Sequence, residues 1–336
     1  MERIEWSRWS SLWSRDNVDA RIAEALGEQG LEYLKYRIEW KRGVRDRDFP
    51  LHLDFELNGS CNMKCPMCTY ALPETKNQGK HSWMSLAHYR AILEDAVPRG
   101  LKAVALNGIN EPLLRRDLPD FVRVARECGV LDIMFHTNGM LLTEAMSAKL
   151  IDAGLTKLMV SIDAVTQTTY DKIRVGGNLP TVRRNVVRFV EMRGPRVLPA
   201  VCVCFVKMDI NAHELPQFLD QWSPFVDFLA IQEYANPAPG RLDDHAMASQ
   251  QPAREFRCQM PFQRMRISWN GFVHPCCVSY GDKMTAGRVE DPIHETWTNA
   301  FMDGIRQIHR EGRWRDHPVC RECVLNSYIE ESHSPI

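Results

Sequence analysis

The stretch Leu57–Tyr70, LNGSCNMKCPMCTY, decides the reading of this chain. Cys61, Cys65 and Cys68 fall within eight residues, directly after the apolar, strand-like run LHLDFELN at 51–58. A Cys-x3-Cys-x2-Cys loop can place three thiolates on three irons of a four-iron cube, and thiolates are the usual ligands of such clusters. Four are normally needed, so three leave one coordination site open for a small molecule. The short segments NMK and PM let the loop wrap a cluster without bulky obstruction. Zinc is the weaker alternative, because structural zinc sites usually join one Cys-x2-Cys to a distant second pair. A disulfide is weaker still.

The whole chain fits that start. Its 336 residues carry a formal charge of -1, with 44% hydrophobic and 25% charged residues, an ordinary globular balance. No basic field points to a nucleic-acid partner. No long apolar run predicts a membrane span, and MERIEWSRWSSLW is too charged for a signal peptide, so a cytoplasmic location is expected. A reducing compartment shifts the eleven cysteines from disulfides toward metal ligation or catalysis.

From 51 to about 235, near-continuous apolar runs at 51–58, 102–108, 131–137, 156–163, 198–206 and 226–233 alternate with helical patterns at 85–97, 117–128, 143–153, 179–193 and 211–222. That alternation predicts an α/β fold with a parallel sheet covered by helices. Six such units suit an open, partial barrel. Residues 1–50 read as a helical extension: Trp6, Trp9 and Trp13 lie at helical spacing, and Asp16 or Asn17 is placed to cap a helix beginning at Val18. The segment 234–254, rich in proline and without periodicity, reads as a linker to a smaller cysteine-rich region at 236–336.

In that region Cys258 and Cys276 are followed by the pair Cys320 and Cys323. Four soft ligands in two groups suit zinc or iron-sulfur, and spacing alone does not decide between them. Cys128 reads as core packing. Cys202 and Cys204 share one face of the fifth predicted strand by the period of two. The plain reading is a pair of buried, inert thiols.

The cysteine loop after the first strand resembles the signature of the radical SAM superfamily, with spacing that matches residue for residue. The resemblance implies a partial (β/α)6 barrel in which Cys61, Cys65 and Cys68 hold a [4Fe-4S] cluster and S-adenosylmethionine (SAM) chelates the open iron. It places Tyr70 near the adenine. LNGINEPLL at 106–114 is similar to the family's Gly-Gly-Glu-Pro segment, which meets the methionine amino group, and so implies a role for Glu111; Asn110 stands where that pattern has its second glycine. Ser161 and Asp163, in SIDA at the end of the fourth strand, become candidates for the ribose and methionine carboxylate. Arg174 is either a partner for the carboxylate or a solvated surface charge, with the surface reading slightly ahead. The resemblance also implies that Cys202 or Cys204, if their strand face lines the lumen, is placed to give a hydrogen atom to a substrate radical.

The C-terminal region resembles the SPASM extension, with its NGFVHPC hairpin, a short strand at AGRV, the IHETW helix and a final Cys-x2-Cys. Only Cys258, Cys276, Cys320 and Cys323 fit that pattern cleanly, implying one fully ligated auxiliary [4Fe-4S] cluster; Cys277 is the odd neighbour. Such enzymes draw electrons from a flavodoxin or ferredoxin. Members acting on peptides often carry a winged N-terminal domain, for which fifty residues are too few. A small polar metabolite (sugar, aminocyclitol or nucleoside) is therefore expected as substrate, undergoing dehydrogenation, epimerisation, decarboxylation or carbon-carbon coupling. A peptide or protein maturase is the alternative within the family, and a non-redox zinc protein the alternative outside it.

Overall fold

A computed structural model describes residues 2–7, 10–14, 17–75, 84–236, 238–247, 250–252, 256–279 and 283–330. The chain starts with an antiparallel hairpin, β1 (Glu2–Ser7) and β2 (Ser10–Ser14). This corrects the helical reading of the first residues: Trp6 and Trp13 lie in strands, and Trp9 is outside the described residues. Helix begins where expected, with α1 (Val18–Ala25) capped by the Asn17 side chain, which accepts from the Ala20 N–H at 3.2 Å. A turn at Gly27, whose φ of 58° suits glycine, separates α1 from α2 (Gly30–Lys41).

Six parallel strands follow: β3 (His52–Phe55), β4 (Ala103–Ala105), β5 (Asp132–Thr137), β6 (Lys157–Ser161), β7 (Ala200–Lys207) and β8 (Phe228–Glu233). They pair in chain order, as successive crossovers of one hand produce. The connecting helices are α3 (Leu86–Ala96), α4 (Leu118–Glu127), α5 (Glu144–Asp152), α6 (Gln167–Ile173), α7 (Leu179–Arg193) and α8 (Leu215–Trp222). The parallel set does not close on itself. β2 lies antiparallel along β8, anchoring the N-terminal hairpin to one edge.

The other edge is extended by the C-terminal region. After β9 (Gln250–Pro252) and α9 (Met260–Gln263), β10 (Arg264–Ile267) pairs parallel with β3 and is joined by the antiparallel β11 (Phe272–His274) and β12 (Gly287–Arg288). The sheet thus runs past the expected boundary at 235. α10 (Ile293–Thr298), α11 (Ala300–Arg310), α12 (Pro318–Leu325) and β13 (Tyr328–Glu330) complete the region, β13 pairing with β9. The expected linker is not a free tether: Tyr234 Oη donates to the Asp243 carbonyl at 2.6 Å, and Ala238 and Leu242 are buried against Leu72.

The strands' alternation creates two cores. Leu53, Phe55, Val104, Ile133, Phe135, Leu158, Val160, Val203, Phe205 and Leu229 face the connecting helices. The opposite, lumen face carries Ala103, Met159, Cys202, Cys204, Phe228 and Ala230, covered at one end by Ile22, Ala23, Tyr33 and Tyr36 of α1 and α2. Charges are buried there too. Lys157 Nζ donates to Asp132 at 2.6 Å and lies 5.2 Å from the Tyr33 ring centroid, while Arg37 Nε and Tyr33 Oη both donate to Asp19, at 3.0 and 3.2 Å. The two N-terminal helices therefore close one end of the lumen. None of the described helices is long and apolar enough to cross a membrane.

Candidate active site

The cysteine loop sits where β3 ends, at the open end of the sheet, and three other elements hold it. Lys64 N donates to the Val175 carbonyl at 2.9 Å, Glu111 N donates to the Ser60 carbonyl at 2.9 Å, and Asn138 Nδ2 donates to Asn62 Oδ1 at 2.7 Å. The sulfurs themselves meet N–H groups: Met63 N approaches Cys61 Sγ at 3.5 Å, Tyr70 N approaches Cys68 Sγ at 3.4 Å, and Arg174 Nη1 approaches Cys65 Sγ at 4.0 Å. Burial pushes the Cys61 thiol up to about 11 and the Cys68 thiol upward as well, the neighbouring thiols adding to it. Such thiols ionise at neutral pH when a metal displaces their protons.

Arg174 corrects the surface reading. Its guanidinium is largely buried, holds Asp163 through Nε at 2.7 Å and a second contact through Nη2, and points its other nitrogen at Cys65. Burial works against its charge, but Asp163 and Cys65 keep it firmly cationic. Asp163 takes a left-handed φ of 63° and spends its second oxygen on the Val206 N–H at 2.8 Å, while its carbonyl accepts from Asn211 Nδ2 at 2.9 Å. Its carboxylate is thus committed to orienting Arg174 and the β6 and β7 ends.

Glu111 is likewise a fully engaged carboxylate. It accepts from Leu113 N at 3.0 Å, Thr137 Oγ1 at 2.7 Å and Asn138 N at 2.8 Å, tying the loop after β4 to the loop after β5. Burial raises its pKa, against the pull of those donors. Asn110 Oδ1 accepts from Gly108 N at 2.8 Å, whereas its buried Nδ2 has no partner. Tyr70 is half-buried beside Cys68, and Ser161 is half-buried at the end of β6, opposite Cys204.

Cys202 and Cys204 do face the lumen, with their sulfurs 4.0 Å apart. The two thiols share one hydrogen bond in which either sulfur can be the donor, and burial pushes the Cys202 thiol upward.

Sequence reasoning missed three side chains. His136 is on β5, where the period of two from Asp132 and Met134 points it to the lumen. Glu56 accepts from Ile109 N at 2.7 Å and Trp269 N at 3.3 Å, and a Cβ on Gly108 would come within 2.6 Å of its carboxylate. Arg266, buried on β10, donates to the Cys277 carbonyl at 3.2 Å and to the Ser279 carbonyl, joining the barrel to the second cysteine group.

In that second group Cys258, Cys276, Cys320 and Cys323 come together and perturb one another. Burial pushes Cys276 up to about 11 and Cys320 and Cys323 up to about 12. Cys277 is exposed. The expected hairpin is β10–β11, turning at Gly271 with φ 83°, and the expected helix is α10. Among the described residues no three His, Cys, Asp or Glu side chains converge as the ligands of a single ion would.

Comparison with known proteins accounts for both groups. Residues 56–221 match the radical SAM superfamily, and residues 258–324 match the SPASM iron-sulfur cluster-binding domain. This chain belongs to the radical SAM superfamily and carries a SPASM domain. The probable GTP 3',8-cyclase of Methanococcus maripaludis (strain C5 / ATCC BAA-1333) is 32% identical over 208 residues, which are 62% of this chain and 65% of that protein. The match therefore spans just under two thirds of that relative's length. The crystal structure of BtrN in complex with AdoMet and 2-DOIA superposes with a TM-score of 0.54 at 20% identity, covering 83% of this chain and 94% of that one. Streptococcus suis SuiB bound to precursor peptide SuiA gives 0.57 at 16% identity, covering 83% and 71%. Both share the fold.

The residues present fit the cofactors of this family. Three thiols on one loop, each near an N–H donor, are placed to hold a SAM-binding [4Fe-4S] cluster, and the four thiols of the C-terminal region a second one. The unpartnered Asn110 Nδ2 leaves a donor for SAM. When bound, the first cluster and SAM supply one-electron cleavage to a carbon radical; the protein positions the groups and excludes water.

Proposed function

We propose that this protein reductively cleaves SAM to a 5'-deoxyadenosyl radical that abstracts hydrogen from a small polar metabolite: a sugar, an aminocyclitol or a nucleoside. The observation that carries the substrate class is the closed lumen. α1 and α2 fill one end with Tyr33, Tyr36 and the Asp19–Arg37 pair, so the N-terminal segment acts as a plug. The lumen face between plug and cysteine loop carries His136, Ser161 and Cys204, polar or small groups suited to a compact hydroxylated molecule. The relative named as a GTP 3',8-cyclase lends support to a nucleoside within that class.

Arg174 and Asn110 are the side chains we assign to SAM itself, with Asp163 and Glu111 as the carboxylates that position them and Tyr70 and Ser161 at the nucleoside end. A flavodoxin- or ferredoxin-type protein serves as electron donor in this reading. The test is 5'-deoxyadenosine formation by anaerobically reconstituted protein with SAM and reductant. GTP, other nucleosides, aminocyclitols, sugars and a set of short peptides are compared. Stimulation by a member of the first four groups is the expected result. No 5'-deoxyadenosine at all, or stimulation by peptides alone, overturns the reading.

A further inference from the structure

Two sulfurs and an imidazole meet on the lumen face in a way that simple packing does not require. Cys202 and Cys204 are two residues apart on β7 with sulfurs at 4.0 Å, about twice a disulfide bond length, so they are separate groups within reach of a shared proton. Cys204 lies opposite Ser161, the last residue of β6, which puts it toward the cysteine-loop end of the lumen; Cys202 lies deeper, opposite Met159. His136 faces the same lumen from β5, in register with Met159 and, across β6, with Cys202. Both thiols are buried, and it is the register on β7 that makes Cys204 the member of the pair nearer the cysteine loop.

Resting on the radical SAM reading above, we propose that Cys204 is the hydrogen-atom donor to the carbon radical formed in the lumen, with Cys202 sharing the unpaired electron and His136 returning the proton. In the donating step a C–H bond forms and the S–H bond at Cys204 breaks. The unpaired electron stays on the two sulfurs, which the second sulfur stabilises by proximity. One electron from a low-potential flavodoxin- or ferredoxin-type donor and one proton through His136 restore the pair. Over a full cycle one SAM, two electrons and one proton give methionine, 5'-deoxyadenosine and a product with the same number of hydrogens as the substrate. That balance is the outcome of an epimerisation, with no net oxidation of the substrate.

The test uses SAM alone as probe. Reconstituted protein is turned over in D2O with titanium citrate, free of added thiol, and without substrate, so that the adenosyl radical must take its hydrogen from the protein. In wild type the 5'-deoxyadenosine is expected to carry one solvent deuteron, a mass increase of one. In Cys204→Ala and in Cys204→Ser the label is expected to fall to background, because a serine O–H exchanges with D2O but is too strong to yield its hydrogen atom. Iron content and the thermal unfolding midpoint of the serine variant, which keeps the shape of the site, verify an intact protein. Unlabelled product from wild type, or full labelling in both variants, overturns the donor assignment while leaving radical SAM chemistry in place. Failure of wild type to cleave SAM overturns both.

Discussion

The two cysteine groups differ in what surrounds them more than in what they are made of. At the barrel mouth, three thiols lie beside a cationic Arg174 and an unpartnered Asn110 amide, so charge and hydrogen-bonding capacity remain for something other than metal. In the C-terminal region the four thiols lie among groups already spent: Arg266 on two carbonyls, His309 on the Cys258 N–H, and Ser327 Oγ beside Cys323 and donating to its carbonyl. An open iron needs neighbours that can hold a ligand, whereas a closed cluster needs only its fourth thiolate. That contrast is the ground on which we assign SAM to the first group and not to the second.

The strongest way to break that contrast is to remove each group in turn. Replacing Cys61, Cys65 and Cys68 together by Ala should abolish SAM cleavage and reduce iron from about eight to about four per chain, read by iron and sulfide analysis. Replacing Cys320 and Cys323 should also cost about four irons, yet leave SAM cleavage without substrate detectable by chromatography of 5'-deoxyadenosine. Equal loss of SAM cleavage in both variants would erase the distinction.

Smaller effects sharpen it. Lys157→Met strands Asp132 in the plugged end of the lumen and should destabilise the protein by about 3–5 kcal/mol, measured by denaturant unfolding; adding Asp132→Leu should recover most of that. Arg174→Lys keeps a charge but loses the two-point grip on Asp163, and should weaken SAM binding by about tenfold, or about 1.4 kcal/mol, by calorimetry. Asn110→Gly removes the amide assigned to SAM and should weaken SAM affinity least, by about 1 kcal/mol in the same calorimetry.

Much of this was legible because its signals are local. The cysteine spacings at 61–68 and 320–323, the apolar runs of the six parallel strands and the Asn17 cap are each contained in a few neighbouring residues. The first strand pair was not, because Trp6 and Trp13 fit a helical stripe as well as a hairpin, and what stabilises β2 is the free edge of β8, more than two hundred residues away. Buried charge was hidden for a related reason. Apolar strands suggest two greasy faces, while Asp132, His136 and Lys157 occupy the alternate positions and find partners on other elements. Arg174 looked like a surface charge since nothing in KIRVGGN announces Asp163, whose left-handed backbone turns its carboxylate toward the arginine.

The central claim, one cluster open to SAM and one closed, can be read directly by electron paramagnetic resonance of the reduced protein with and without SAM. Two overlapping cluster signals are expected, of which SAM shifts one, and that one should be missing from the Cys61/Cys65/Cys68 variant. A shift in the signal that survives in that variant, or no shift in either, would contradict the account.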